Sequence, residues 1–371
     1  MKNKAVTTLN PLGSKKHLIE SKAMKRMSNC RLRPARICPG NQRQGLTLIE
    51  LLVVLGIIVT IAGMLLFMLN GAREESRRLR TVAQVRRVNQ VVAERWEEVG
   101  FQPVQLNEAS RNVVANALPA AKLGLSRSLK LSATRELQRL EFPDRISDLA
   151  VFPQFGAPTP AWLNYRLKVQ VVFGTTDWTE ILTSWSDDYE GAECLYLILS
   201  AIFDEDGHAL RFFSQNEIGD IDDDGMPEIW DAWGNPIEFL RWAPGYLSPY
   251  HEQNGVATPD PFDPFRSDPR FATPTEYFDT RDGIKKPLVP FNLYPLVFSA
   301  GPDAVYGVAF VNEPAHSDGG VRKVEYANLA IPNDPFPVDD GDGYMIGATG
   351  DFDGDGVQGH EDNIDNHWDI R

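Results

Sequence analysis

From Leu46 to Leu69 the chain runs 24 residues interrupted only by Thr47, Glu50, Gly56, Thr60 and Gly63. At about 1.5 Å of helical rise per residue this makes roughly 36 Å of helix, enough to cross a hydrocarbon core of about 30 Å. A segment of that length and polarity is expected to span a membrane, so everything that follows must fold on one side of it. One residue does not suit a plain anchor. Glu50 is the sole charged side chain between Leu46 and Arg73, and a carboxylate near the centre of a bilayer costs about 2.5–3.5 kcal/mol, less near an end. An acid kept in such a place marks a functional partner.

The charge on either side of this segment sets its orientation. Residues 1–45 carry 11 Lys and Arg and a single acid, Glu20; the rest of the chain carries 26 basic and 50 acidic residues. A basic leader stays in the cytoplasm, which places the acidic remainder outside it. Topology accounts for the basic residues without nucleic-acid binding. The leader is long, and Met24 or Met27 is expected to be the true start. Of the three cysteines, Cys30 and Cys38 lie in this leader and only Cys194 lies beyond it. Once the leader is removed no internal disulfide can form, and Cys194, in Ala192-Glu193-Cys194-Leu195, reads as a small buried hydrophobe.

Gly45-Leu46-Thr47-Leu48-Ile49-Glu50-Leu51-Leu52-Val53-Val54 resembles the processing site of type IV pilins and type II secretion pseudopilins. The resemblance implies that a prepilin peptidase cuts between Gly45 and Leu46 and methylates the new terminus, where the family usually has Phe. It also implies that Glu50 pairs with the amine of a neighbouring subunit during assembly. The fold it implies is α+β and pilin-like: a long N-terminal helix, its first half in the membrane and its second half on a small antiparallel sheet.

The remaining sequence divides accordingly. Residues 1–45 are the leader, 46–70 the membrane helix and 71–99 an amphipathic continuation, in which Leu79, Val82, Val85, Val88, Val92, Trp96 and Val99 recur at three- and four-residue steps. Residues 100–203 read as an inserted, mainly helical region. Ser128–Phe142 and a segment from about Trp178 are its helical parts, Glu193–Phe203 reads as buried, and Val169–Phe173 reads as a strand. Residues 204–371 are expected to be β-rich. Pro236–Trp242, Leu293–Ser299 and Gly307–Val311 are the strand candidates, and residues 244–295, with ten prolines, read as an exposed insertion.

Two Asp-rich stretches have the spacing of calcium loops. In the first, acids at Asp220, Asp222, Asp224, Glu228 and Asp231 occupy positions 1, 3, 5, 9 and 12, Gly225 gives the turn, and Met226 offers its backbone carbonyl. The second repeats the pattern with Asp351, Asp353, Asp355, the carbonyl of Val357, and Asp362. Both end in Asp where EF-hands prefer Glu. The competing reading is a solvated Asp/Gly turn. Asp339, Asp340 and Asp342 form a weaker cluster.

Asp231-Ala232-Trp233-Gly234-Asn235-Pro236 resembles the turn that joins two C-terminal strands in the major pseudopilin. Phe298-Ser299-Ala300-Gly301-Pro302-Asp303 resembles the strand end before that family's calcium loop. No phosphate-binding loop, nucleophile elbow or zinc-type histidine pair is present, so an enzyme is not expected. His360 and His367 read as surface residues. The expected protein is a filament subunit that takes calcium and has the prepilin peptidase, the inner membrane and other pilin or pseudopilin subunits as partners. Its acidic domain is expected to be periplasmic. The alternative is a tethered, calcium-dependent adhesion protein that uses the helix only as an anchor.

Overall fold

The structure is a computed structural model that describes residues 47–204, 207–253, 256–273, 278–279, 286–310, 333–336, 345–350 and 360–368. Gly45, Leu46, Asp339, Asp340, Asp342, Asp351, Asp353, Asp355 and Val357 lie outside the described residues. The architecture is α+β, and the chain divides into two units, residues 1–62 and 63–371.

Helix α1 (Leu48–Phe101) supplies the described part of the first unit. There every residue from Leu48 to Ala62 is exposed. Among the described residues this is the one helix long and apolar enough to cross a membrane.

In the second unit, α1 buries Thr81, Gln84, Val85, Val88, Val92, Trp96 and Val99. The stripe expected from the sequence holds from Val85 onward. Leu79 departs from it and is exposed, because the stripe begins on polar residues that have tertiary partners. Thr81 Oγ1 accepts from the Ala232 N–H at 3.1 Å, and Gln84 Nε2 donates to Glu217 Oε1 at 2.8 Å.

Among the described residues six further α-helices follow: α2 (Glu108–Asn116), α3 (Pro119–Glu141), α4 (Ile146–Ala150), α5 (Pro160–Phe173), α6 (Trp178–Ser184) and α7 (Glu190–Ala201). The strand expected at Val169–Phe173 is the last turn and a half of α5. Thr159 Oγ1 caps its start by accepting from the Trp162 N–H, Pro160 occupies the first turn, and nothing breaks the helix before Gly174 at φ +66°. Local β-propensity yields here to helical spacing: Trp162, Tyr165 and Val169 share the buried face, while Val171 is 80% exposed.

Helix α7 is the buried centre, with Cys194 fully enclosed. It lies close against the sheet at Gly191, where an added Cβ would sit 2.7 Å from the Phe239 carbonyl oxygen. Only glycine permits that approach.

The strands are short. β1 (Phe203–Asp204) pairs with β2 (Gly207–His208), β3 (Ile218–Gly219) with β4 (Glu228–Ile229), β6 (Glu252–Gln253) with β7 (Val256–Ala257), and β8 (Phe278–Asp279) with β9 (Lys286–Pro287). The one larger sheet has the order β11-β10-β5, all antiparallel, from β5 (Ile237–Leu240), β10 (Leu296–Ser299) and β11 (Ile364–Asp365). Gly307–Val311 gives only an isolated bridge, Val308 to Thr349, within its described part.

β5 and β10 are buried on both faces. Ile237, Phe239 and Val297 join the core with α1 and α7, whereas Leu240, Leu296 and Phe298 face a second cluster with Tyr246, Tyr306 and Phe310. The Pro-rich stretch differs from the exposed insertion expected of it: Tyr246, His251, Asp263, Asp268, Arg270, Leu288, Phe291 and Leu293 are all buried. Arginines fasten it down. Arg135 of α3 donates to Asp268 at 2.6 Å, and Arg270 bonds Asp268 and Asp334.

Candidate functional site

The N-terminal site begins at the first turn of α1. The Thr47 N–H and hydroxyl donate to Glu50 Oε2 at 2.8 and 3.0 Å, and the Glu50 N–H donates to Thr47 Oγ1 at 3.3 Å. This is a capping box, Thr-x-x-Glu, with the acid on the positive end of the helix. It holds the Glu50 carboxylate on the Thr47 amide and hydroxyl, at a turn where Leu48 and Ile49 are exposed.

The Asp220–Glu228 loop lies between β3 and β4. Asp220 Oδ1 accepts from the Asp224 N–H at 3.1 Å and its Oδ2 from the Gly225 N–H at 2.8 Å, while Asp224 Oδ1 accepts from the Met226 N–H at 2.8 Å. Asp223 at φ +61° and Gly225 at φ +100° close the turn. Carboxylate oxygens of Asp220, Asp222 and Glu228 lie within 4.8 Å of one another. So do those of Glu193, Asp222 and Asp224.

Asp222 thus belongs to two overlapping sets of three acids, and all-oxygen sets of this kind suit a hard cation. Burial and mutual repulsion act together on them. Burial, then Asp224, Glu228 and Asp222, push the Glu193 carboxyl up to about 11. Burial, then Asp222 and Asp220, push Glu228 up to about 8, and burial with acidic neighbours also raises Asp222 and Asp224.

One acid of the twelve-residue motif is engaged elsewhere. Asp231 turns away to hold the next turn, where its Oδ1 accepts from the N–H groups of Trp233, Gly234 and Asn235 at 2.8, 2.8 and 2.9 Å. Its Oδ2 accepts from the Ser299 hydroxyl at 2.7 Å. The Met226 side chain is fully buried in the core. In place of Asp231 the fold brings in Glu193, which the motif did not include. Its signal in the sequence was an acid within the apolar run Ala192–Leu199, with no Lys or Arg three or four residues away.

Of the second loop only Asp362 is described. It is half-buried beside Gly301, and burial and Asp303 raise its carboxyl above the usual range. The histidines are not equivalent: His367 is buried against Tyr246, Tyr250 and Tyr294, contrary to a surface position.

No curated protein and no solved structure matches this chain. Residues 40–66 match the family model described as the prokaryotic N-terminal methylation motif. That match covers the leader end, the cut expected at Gly45/Leu46, and Glu50. The N-terminal segment is that of a type IV pilin-like substrate of a prepilin peptidase.

Proposed function

We propose that this protein is a structural subunit of a pseudopilus of the type II secretion kind, or of a related pilus-like filament, and not an enzyme. The prepilin peptidase cuts between Gly45 and Leu46, and subunits assemble by bundling α1 within and above the inner membrane. Glu50 meets the amine exposed on a neighbouring copy. The observation that carries this reading is the methylation motif at residues 40–66 with Glu50 as the sole charge in its apolar segment. A spanning anchor needs length and apolarity; it does not need a carboxylate. The acidic domain lies on the periplasmic side, and calcium orders its Asp-rich loop.

Two C-terminal motifs that resemble the major pseudopilin support the same reading by meeting in space, through Asn235 to Gly301 at 2.8 Å and Ser299 to Asp231 at 2.7 Å.

The test is Glu50→Ala in cells, read as amino-terminal sequence, membrane insertion and cross-linking between subunits. The variant is expected to insert and to start at Leu46, yet to give no multimeric ladder where the parent chain does. A parent chain that starts elsewhere than Leu46, or a variant that assembles as the parent does, overturns the reading in favour of a tethered adhesion protein.

A further inference from the structure

The buried acids of this fold are met in two different ways. Asp144 and Asp148 face Arg241, and Asp268 and Asp334 face Arg135 and Arg270. That is how buried carboxylates are ordinarily tolerated. Around Asp222 the rule fails: no Lys or Arg forms an ion pair with Glu193, Asp220, Asp222, Asp224 or Glu228 among the described residues.

Two of these acids are wholly buried, Glu193 on α7 and Glu228 on β4. Each has one oxygen accounted for: Glu193 Oε2 accepts from the Trp185 indole N–H at 2.5 Å, and Glu228 Oε2 accepts from the Ile221 N–H at 3.1 Å. Glu193 Oε1 is buried without a hydrogen-bond donor, while Glu228 also interacts with the Trp230 indole N–H. A buried acceptor left without a donor is costly, the more so when charged, and Glu193 Oε1 is one such acceptor within this group of five acids. A cation held there would meet the Glu193 oxygen and offset the mutual repulsion of the five acids.

We propose that a calcium ion binds between α7 and the Asp220–Glu228 loop with Glu193 as a ligand, so that the ion fastens the loop to the central helix. This rests on the reading of that loop as a calcium site and adds a ligand from outside its linear motif. The donor set is carboxylate only, with no thiol or imidazole among the grouped residues, which selects a hard cation over zinc or copper. Four of the five acids come from one nine-residue loop, and carboxylates in that number suit calcium's six to eight oxygen ligands better than the strict octahedron of magnesium, which keeps several waters. Glu193 contributes differently, since the helix that carries it also lies against β5 at Gly191. Bound calcium therefore links the loop to the sheet through α7.

Terbium, excited through tryptophan and displaced by calcium, reports binding to the detergent-solubilised full chain, because the Trp185 indole touches Glu193. Asp222→Asn, which removes the acid shared by both sets, defines the component of binding that belongs to this site. Glu193→Gln is expected to lose the same component, with calcium affinity weaker by about tenfold or more. It should also lose the calcium-induced rise in Tm while melting in chelator no lower than the parent chain. Glu193→Asp, which keeps the charge but shortens its reach from α7, should weaken calcium similarly and serves where Glu193→Gln does not fold.

If Asp222→Asn removes no component, the loop is not a calcium site and the wider reading falls. If it does, but Glu193→Gln (or Glu193→Asp in its place) binds as the parent does, the loop acts alone and the link to α7 is overturned.

Discussion

The side-chain amide of Asn235 donates to the carbonyl oxygen of Gly301 at 2.8 Å, joining two turns 66 residues apart. Asp231 completes the joint, since it accepts three N–H groups of the Asn235 turn and the hydroxyl of Ser299 beside Gly301. Replacing Asn235 with Ala removes one such bond and should destabilise by about 1–2 kcal/mol. Asp231→Ala leaves several donors unmet and should cost about 2–4 kcal/mol. Urea unfolding of the two variants is expected to rank them in that order; equal midpoints would mean that Asp231 does not organise the turn.

Helix α7 and the sheet should be unable to tolerate a side chain at position 191. Gly191→Ala places a methyl 2.7 Å from the Phe239 oxygen and 2.9 Å from Glu238 Oε2, and is expected to cost about 1–3 kcal/mol by overpacking. Gly124, in α3, has no atom within 4 Å of such a methyl. Gly124→Ala should therefore stabilise by about 0.5–1 kcal/mol through helix propensity. The pair is read together by thermal melting, and the opposite signs are the result that matters.

Helix and strand give opposite expectations for Val169 and Val171. A strand would put both on one face; in α5 Val169 is fully buried and Val171 is 80% exposed. Val169→Ala should cost about 2 kcal/mol and Val171→Ala less than about 0.5 kcal/mol. Similar losses at both positions would contradict the helix.

The acid limb of stability should depend on Asp148. Burial alone would raise its carboxyl, but Arg241, Arg145 and Arg139 outweigh burial and hold it well below the usual carboxylate range. A carboxyl lowered by folding adds stability above its unfolded value of about 3.9, and that stability is lost as pH falls from there through the folded value. Asp148→Asn removes this dependence and leaves Arg241 short of a charge, at a cost of about 3–5 kcal/mol near neutral pH. Unfolding free energies measured from pH 6 to 2 should converge for parent and variant at the acid end. A constant difference across the range would show that Asp148 is not the titrating group.

The parts of this fold that were legible in the sequence are those where a single period decides the matter. Val85 to Val99 repeat at helical steps and are buried; Ile237–Leu240 and Leu296–Ser299 pair as strands. Leu79 misled because the stripe of α1 begins with Thr81 and Gln84, whose burial depends on partners more than 130 residues away. Residues 244–295 looked exposed because proline density reports the lack of regular structure and says nothing of burial. Arg270, which anchors that stretch, draws its partners from Asp268 and Asp334. The Asp220 loop was readable as a run of acids at fixed spacing. Glu193 was not, since only the packing of α7 beside the loop brings it there, and Asp231 fitted the spacing while serving the neighbouring turn.

The capping box at the start of α1 has a consequence for a subunit that has not yet joined others. Thr47 keeps the Glu50 carboxylate bonded within its own chain, so a lone copy resting in lipid does not carry a bare anion. On the assembly proposed above, recruitment would exchange one partner for another, and the helix would give up part of its own cap as it docks. An acid held so loosely, by a threonine one turn back, is well suited to waiting.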